Sequence, residues 1–248
     1  MLGRPRLHLR EIDSTSVRAR ALAGAGAPHG TLVTASAQTA GRGRQGRTWT
    51  VPAGRALLCS LVIREPPPLL SLIAGVAVAE VCEQVLAARG DGRVVQVKWP
   101  NDIWVDGRKV AGILVEGRPQ EYWAVLGIGL NVAVVEADLP VELRGRATTL
   151  GLSAGEIEPV LAALLDRLTA GLAAPAEVVL DGIRVRDALR GHPVSWGEGA
   201  ATADAGGAGA VYRGIAAGIG DTGRLLVDTP AGQVALDAGE VHLGATVD

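Results

Sequence analysis

Apolar and polar positions in the first part of the chain follow two periods, which predict both helices and strands. Residues 69–90 repeat apolar side chains at helical spacing and end in a glycine. Residues 14–26 start with Ser and Thr and also stop at a glycine, which predicts a shorter helix. Residues 31–36 and 55–64 are β-branched or apolar runs typical of strands. Residues 1–10 are polar and too short for a domain.

Strands and tight turns dominate the middle of the chain. Residues 93–98 predict a strand that leads into a turn at 99–102. The pair Asp106-Gly107 lies between two apolar runs, and this pattern is typical of a β-hairpin over 103–117. Residues 122–132 predict a further strand.

The hydrophobic pattern changes in the last quarter of the chain. Helices are predicted at 156–172 and 175–190, and five short β-like runs separated by Gly and Asp follow them. Short strands with tight turns predict a small barrel, so we expect one domain over 1–190 and another over 191–248. The low-complexity stretch 197–210 is expected to be a mobile surface loop. Because strands and helices do not alternate regularly in the first domain, the predicted fold class is α+β.

The composition is that of an ordinary globular protein. Of the 248 residues, 48% are hydrophobic and 20% are charged, which argues against disorder. The net charge of −2 gives no global basic field for nucleic acid. The N-terminal sequence has no apolar signal region, and no apolar run reaches the ~20 residues that span a bilayer. We therefore expect a cytoplasmic protein with no membrane partner.

The two cysteines agree with this location. Cys59 and Cys82 lie in apolar stretches, and neither has a second cysteine or a histidine at metal-ligand spacing. We expect buried, inert thiols in a reducing compartment and no metal site built from cysteine.

The basic residues show a more informative imbalance. Of the 24 lysines and arginines, only Lys98 and Lys109 are lysines. With such a bias against lysine, a dispensable surface lysine tends to become arginine. A lysine at a tight site is retained, because the planar guanidinium group of arginine cannot replace its compact ammonium group. The predicted hairpin folds Lys109 back towards the turn after Lys98, and two close ammonium groups favour an anion between them. The pair therefore indicates an anionic ligand, with two separate surface lysines as the alternative.

Residues 41–47, GRGRQGR, match a dinucleotide-binding pattern formally but not in context. That pattern requires a helix at its glycines, whereas the residues that follow contain Pro and Gly and then a predicted strand. What remains is a flexible loop whose arginines, Arg42, Arg44 and Arg47, can bind phosphates or carboxylates. The alternative is a solvated loop without a ligand.

Two further segments carry weaker signals. Gly127 and Gly129 interrupt an apolar strand, where a glycine often marks the close approach of a ligand or another backbone. Asn131 follows them and needs partners if it is buried. Residues 13–16, Asp-Ser-Thr-Ser, precede a predicted helix and act as an N-cap in the simplest interpretation. A helix N-terminus that carries hydroxyls is also an anion site.

Taken together, the motifs are specific. EIDSTS, AQTAGRGRQGRTW, VKWPNDI, KVAGILVE and GIGLNV, in this order, resemble biotin protein ligases (biotin–[acetyl-CoA-carboxylase] ligases), and the resemblance covers about residues 10–245. It implies a catalytic domain related to class II aminoacyl-tRNA synthetases and a small C-terminal SH3-like β-barrel. It also implies an ATP-dependent ligase that forms biotinyl-5′-AMP and transfers biotin to one lysine of a biotin carboxyl carrier protein.

The resemblance assigns roles to the motif residues. The implied biotin-binding residues are Ser14, Thr15, Ser16, Gln38, Gly41, Arg42, Gly43, Arg44 and Lys98. The implied ATP-binding residues are Arg44, Arg47, Trp49, Asn101, Lys109 and Asn131. The implied catalytic residues are Arg44, Lys98, Lys109 and Asp102, where Asp102 orients or deprotonates the carrier amine. Mg²⁺ is expected with ATP, and no residue is assigned as its ligand. The family usually has Asn where this chain has Ser16, a departure that bears on the side-chain contact there.

Three other functions stay open. A lipoate or octanoyl ligase belongs to the same superfamily, although the GRGRxGR loop, the KWPND segment and the tail favour biotin. Some family members are DNA-binding repressors, but only about 12 residues precede Asp13, too few for a helix-turn-helix, so we expect no specific DNA binding. The third is a non-catalytic biotin-binding protein. The oligomeric state, monomer or homodimer, is not predicted.

Overall fold

The structure, a computed structural model, describes residues 1–197, 211–237 and 241–243. The predicted surface loop lies outside these residues, apart from Gly197. The described helices are α1 (Thr15–Gly24), α2 (Leu70–Ala88), α3 (Ile157–Ala173) and α4 (Ala176–Arg184). The described strands are β1 (Arg6–Ile12), β2 (Leu32–Gln38), β3 (Ala56–Arg64), β4 (Val95–Lys98), β5 (Asp102–Val105), β6 (Arg108–Arg118), β7 (Trp123–Asn131), β8 (Pro193–Gly197), β9 (Val211–Ile219), β10 (Leu225–Thr229), β11 (Gly232–Leu236) and β12 (Val241–Leu243).

Seven strands form one mixed sheet in the order β1-β2-β3-β7-β6-β5-β4. Strands β1 and β2 run parallel, and the other neighbours are antiparallel. The four predicted helices and the predicted hairpin are present, although α4 ends at Arg184, earlier than expected. The α+β prediction is confirmed.

Strand β1 is the element that the sequence analysis missed. Leu7, Leu9 and Ile12 are half-buried, and the polar residues between them are exposed. A strand at the edge of a sheet tolerates such charged side chains, and they hide its alternation in a polar terminus. Strands β1 and β2 flank α1 in one βαβ unit, and Ser14, just before α1, therefore lies next to the carboxyl end of β1.

The two faces of the large sheet are covered differently. Helices α2, α3 and α4 lie on one face and form the main apolar core with it. Helix α1 covers part of the other face, over Val33, Val62 and Val125. Strand β3 shows the alternation: Leu61 belongs to the main core, and Leu58 lies on the second face in a separate small apolar cluster. The part of this second face that α1 leaves uncovered holds the site described below.

Helix α2 is the one described helix that is long and apolar enough to cross a membrane by length and composition. In the fold, 61% of its most apolar window is buried. It packs against α3, α4 and three strands of the large sheet, as the core helix of a globular protein does.

The five strands predicted after residue 191 are all present. They form one antiparallel sheet in the order β11-β10-β9-β8-β12. In the described part of the chain, the outer strands β11 and β12 each pair with one neighbour, and closure into a barrel stays a prediction. The domain boundary near residue 190 also stays a prediction. A hydrogen bond joins turns of the two sheets: Trp99 Nε1–H, just after β4, donates to the carbonyl oxygen of Gly223, between β9 and β10, at 3.0 Å.

The prediction of inert thiols is confirmed. Cys59 and Cys82 are free and buried, one on β3 and the other on α2. Burial raises the pKa of each thiol to about 12, so neither forms a thiolate near neutral pH.

Candidate active site

The open part of the second face is the floor of a cleft of 780 Å³. Strands β3, β7 and β6 cross this floor, and their register places residues side by side in two rows. The first row is Ser60, Gly127 and Leu114, of which Gly127 and Leu114 line the cleft while Ser60 lies beneath them. The second row is Leu58, Gly129 and Gly112. Because three of these six residues are glycines, other groups can approach the floor closely.

The second row carries the ring of Trp49. A Cβ atom on Gly129 would lie 2.6 Å from Trp49 Cε2, and one on Gly112 would lie 3.1 Å from Cζ3. The group that approaches Gly129 closely is therefore the side chain of a tryptophan of this chain, and not the ligand or backbone that the sequence analysis expected. Trp49 Nε1 is buried and has no hydrogen-bond partner among the described residues.

The start of α1 forms one end of the cleft. Ser14, Thr15 and Ser16 are buried there. The Thr15 N–H and hydroxyl both donate to Gln38 Oε1, at 2.7 and 3.0 Å. Ser14 holds the N-cap position, but its side chain makes no capping hydrogen bond. Within the described chain, Ser14 Oγ is buried without a partner, so the predicted cap is absent and the hydroxyl is left for a ligand.

The GRGRQGR segment forms a tight turn beside the cleft. The Gly43 N–H donates to the Arg47 carbonyl oxygen at 2.7 Å, and Gln45 adopts a φ of 53° in the left-handed region. A Cβ atom on Gly41 would lie 2.4 Å from the Trp49 carbonyl oxygen, which explains a glycine at that position. The segment leads to strand β3 and not to a helix, so the rejection of a dinucleotide fold is confirmed.

Two arginines of this segment point in different directions. Arg44 donates to Asn101 Oδ1 at 3.1 Å, and burial lowers its pKa. Arg42 reaches Glu116 on β6 at 3.4 Å, and Glu116 also pairs with Arg20 at 2.5 Å. Arg44 is thus held in the cleft with the KWPND turn, whereas Arg42 is tied to the sheet at the cleft's rim.

Both lysines line the cleft together with Asp102. Lys109 Nζ lies 2.7 Å from Asp102 Oδ1 and 5.6 Å from the centre of the Trp49 ring. Lys98 Nζ lies 5.4 Å from the centre of the Trp104 ring. Burial is the main cause that lowers the pKa of Lys98; nearby Asp102 opposes this, and Lys109 adds to it. The structure thus places both lysines in one cleft, as predicted, but the counterion of Lys109 is a carboxylate of the chain itself.

The other end of the cleft carries an amide. The side chain of Asn131 is buried and donates from Nδ2 to the Thr148 carbonyl oxygen at 2.9 Å. Its Oδ1 has no partner among the residues described. Leu139, Leu143 and Arg146 line the same part of the cleft. With Ser14 Oγ and Trp49 Nε1, Asn131 Oδ1 makes a third buried polar atom of the lining that lacks a partner.

The structure brings the predicted site residues together. Gly41 lines a smaller hollow of 440 Å³ under the same turn. The cleft itself is lined by Ser14, Thr15, Ser16, Gln38, Arg42, Gly43, Arg44, Arg47, Trp49, Lys98, Asn101, Asp102, Lys109 and Asn131. Their individual roles stay predictions.

The sequence analysis missed several lining residues. Trp104 is half-buried between buried residues of β5, and the sequence pattern did not single it out. The structure relates it to the site through Lys98, whose Nζ lies against its ring. His242 and Leu243 come from β12 of the small sheet, and no local pattern connects them to the site. Burial and the charges of Lys98 and Arg47 lower the pKa of His242.

Few acidic groups face the cleft. Asp102 is the one carboxylate among the described lining residues. The described part of the chain contains no group of three His, Cys, Asp or Glu side chains that could hold a metal ion. The cleft is therefore cationic and suits an anionic ligand better than a protein-bound metal.

Comparisons with known proteins place this geometry in a family. Residues 10–132 match the Biotin/lipoate A/B protein ligase family, and residues 205–244 match the Biotin protein ligase C terminal domain. The chain is 33% identical over 250 residues to the biotin--[acetyl-CoA-carboxylase] ligase of Paracoccus denitrificans, which covers 95% of this chain and 99% of the relative. The chain belongs to the biotin protein ligase family.

Two further family members extend the comparison. The bifunctional ligase/repressor BirA of Bacillus subtilis is 39% identical over 164 residues, which cover 63% of this chain. The chain spans about half of that relative, 49% of its length. The structure of the Aquifex aeolicus biotin protein ligase in complex with biotin and ATP superposes with a TM-score of 0.78 at 28% identity, over 97% of this chain and all of that one (100%).

Proposed function

We propose that the chain is an ATP-dependent ligase that activates biotin as biotinyl-5′-AMP and transfers it to a lysine of a biotin carboxyl carrier protein. One observation carries the proposal. A single cleft contains three buried polar atoms that have no partner in the described part of the chain and, with them, the cations Arg44, Lys98 and Lys109. Buried polar atoms are expensive unless a partner meets them, and clustered cations favour an anion.

The end of the cleft at α1 suits the ring of biotin. Ser14 supplies a hydroxyl, and Gln38 supplies an amide whose oxygen is already occupied by Thr15. The cyclic urea of biotin offers both a carbonyl acceptor and N–H donors for such groups. The dithiolane ring of lipoate offers neither, and it would leave these protein atoms unpaired.

The other end suits ATP. The Trp49 ring, which covers the glycine row and lines the cleft, can stack on a planar base, and Asn131 Oδ1 can accept from an exocyclic amine. Arg44 and Lys109 lie near the KWPND turn, where the phosphates would approach Lys98. Aquifex aeolicus biotin protein ligase, a protein of the same fold, forms a complex with biotin and ATP, which supports this arrangement.

Catalysis of this reaction depends more on positive charge than on a covalent intermediate with the protein. A carboxylate oxygen of biotin forms a bond to the α-phosphorus of ATP, and the bond to the β-phosphate oxygen breaks, which releases pyrophosphate. Both reactants are anions, so the cations that hold them together lower the barrier. In the second step the carrier amine forms an amide bond with the acyl carbon and loses a proton, AMP leaves, and Asp102 orients or deprotonates the amine.

Mg²⁺ enters this proposal as a companion of ATP. Among the lining residues that the structure describes, the single carboxylate is already paired with Lys109, which fits an ion held mainly by the triphosphate and by water. Bound there, it would neutralise phosphate charge. The reducing cytoplasm is the proposed location, and the free thiols agree with it.

Mass spectrometry of the protein incubated with ATP and biotin tests the function. We expect biotinyl-5′-AMP with equimolar pyrophosphate, and a mass increase of one biotinyl group on an added carrier domain. A parallel incubation with lipoic acid should give no adenylate. Adenylate from lipoic acid alone would favour a lipoate ligase, and biotin binding without either product would favour a non-catalytic biotin-binding protein.

A further inference from the structure

Beneath the start of α1, four side chains from three elements form a continuous chain of hydrogen bonds. Ser60, on β3, is fully buried and is not among the residues that line the cleft. Its hydroxyl donates to Thr15 Oγ1 at 2.9 Å and lies 3.2 Å from Ser16 Oγ. The Thr15 hydroxyl in turn donates to Gln38 Oε1 at 3.0 Å.

The direction of every bond in this chain is determined. Ser60 has one proton, which goes to Thr15, so Ser16 must be the donor to Ser60. The backbone N–H of Thr15 also points at the Gln38 side chain, at 2.7 Å. A backbone N–H can only donate, so the Gln38 atom that faces it must be oxygen and the amide nitrogen must face the other way.

The exposed end of the chain is therefore a donor. An ideal Cβ on Gly41 would lie 2.8 Å from Gln38 Nε2, which places the amide nitrogen beside Gly41, and Gln38 itself lines the cleft. Hydrogen bonds in a row polarise one another and hold their members in place more firmly than single bonds do. Gln38 and Ser14 both line the cleft, so its lining contains an oriented amide and a hydroxyl that has no partner among the described residues.

Gly127 makes room for the start of this chain. A Cβ atom at that position would lie 2.7 Å from Ser16 Oγ. The Ser16 hydroxyl fills the space that a side chain on β7 would occupy, and it is committed to Ser60. The side chain of Ser16, where the family usually has Asn, therefore bonds within the protein.

We propose that Ser60 is a positioning residue for biotin selection: through Thr15 it holds the Gln38 amide with its N–H towards the ligand, without touching the ligand itself. The proposal rests on the proposed function, since biotin is the ligand it concerns. A urea carbonyl satisfies the oriented donor, and a ring without an acceptor does not. Ser60 therefore contributes to discrimination between biotin and apolar-ringed acids, while ATP binding does not depend on it.

Substitutions along the chain give a graded test. Ser60→Ala interrupts the chain at its centre, and Ser16→Ala removes only its first donor. We expect the Kd for biotin, measured by titration calorimetry, to rise about tenfold for Ser60→Ala, the scale of one lost buried hydrogen bond, and two- to threefold for Ser16→Ala. The KM for ATP at saturating biotin should stay within twofold of the unsubstituted protein in both variants.

Thr34 provides a matched control. Its buried hydroxyl on β2 accepts from Arg6 Nε at 3.2 Å and bonds to His8 Nδ1 at 2.9 Å, outside the cleft. Thr34→Ala should lower the melting temperature about as much as Ser60→Ala does, and it should leave the Kd for biotin unchanged. Equal biotin affinity in Ser60→Ala, Ser16→Ala and Thr34→Ala would overturn the positioning role. Absence of biotin binding by the unsubstituted protein would instead refute the proposed function.

Discussion

Removing the Lys109 ammonium group is the perturbation whose effect the structure predicts most directly. Its Nζ lies 2.7 Å from Asp102 Oδ1, and the side chain is 34% exposed. The Lys109 ammonium group and a phosphate charge about 4 Å away would interact by about 4 kcal/mol at the effective dielectric constant of a site near the surface. Partial exposure reduces this value, so we expect a loss of about 2.7 kcal/mol of transition-state stabilisation, which corresponds to about 10²-fold in rate.

The two half-reactions separate this effect from general damage. Lys109→Ala should slow pyrophosphate release from biotin and ATP by about 10²-fold, because the phosphate charge develops in that step. Transfer from supplied biotinyl-5′-AMP to a carrier domain should fall much less, since no triphosphate takes part. An equal loss in both assays would refute the assignment of Lys109 to ATP.

The neighbouring residue supplies a matched control. Arg108 is also on β6, its side chain is 35% exposed, and it pairs with Glu136 at 3.3 Å. It does not line the cleft. An exposed ion pair of this kind contributes about 1 kcal/mol or less, so Arg108→Ala should keep both rates within about twofold. A loss in Arg108→Ala as large as in Lys109→Ala would mean that positive charge on β6 acts at long range and not through direct contact of Lys109 with the phosphates.

Three further outcomes are expected. Because burial lowers the pKa of Lys98, kcat/KM for adenylate formation should decline at an alkaline pH below the usual pKa of lysine. Lys98→Arg should lower the rate but move this decline to higher pH. If the decline stays at the same pH, another group causes it. Trypsin should cleave the ligand-free protein at Arg42 or Arg47, which are exposed, more readily than at half-buried Arg44. Biotin with ATP should protect these bonds, because a bound ligand would order residues 41–47; equal cleavage with and without ligand would contradict a role of this segment in ligand binding. In a gel shift at physiological salt with DNA of the protein's own biotin operon, a net charge of −2 predicts no discrete complex that survives excess nonspecific competitor, with or without biotinyl-5′-AMP.

Local sequence determined most of the elements of this protein. The helical period of residues 69–90, the Asp-Gly turn of the hairpin and the five short runs after residue 191 each predicted an element that the structure contains. These patterns work because the burial of a helix face or a strand face leaves a period in the residues of that same element. The candidate site residues could also be predicted from the sequence, because their glycines, lysines and arginines stand out in an Ala-rich chain.

Only the tertiary structure decided how these elements meet. Asp102 as the counterion of Lys109, Trp49 on the glycine row, and Ser60 beneath Thr15 each join residues from different elements. Such pairs depend on the order of strands in the sheet and on their register, and a shift by one residue would turn each side chain to the opposite face. Strand order and register are set by the packing of the whole core, which no single segment encodes. For the same reason the edge strand β1, and His242 from the small sheet, gave no local sign of their places.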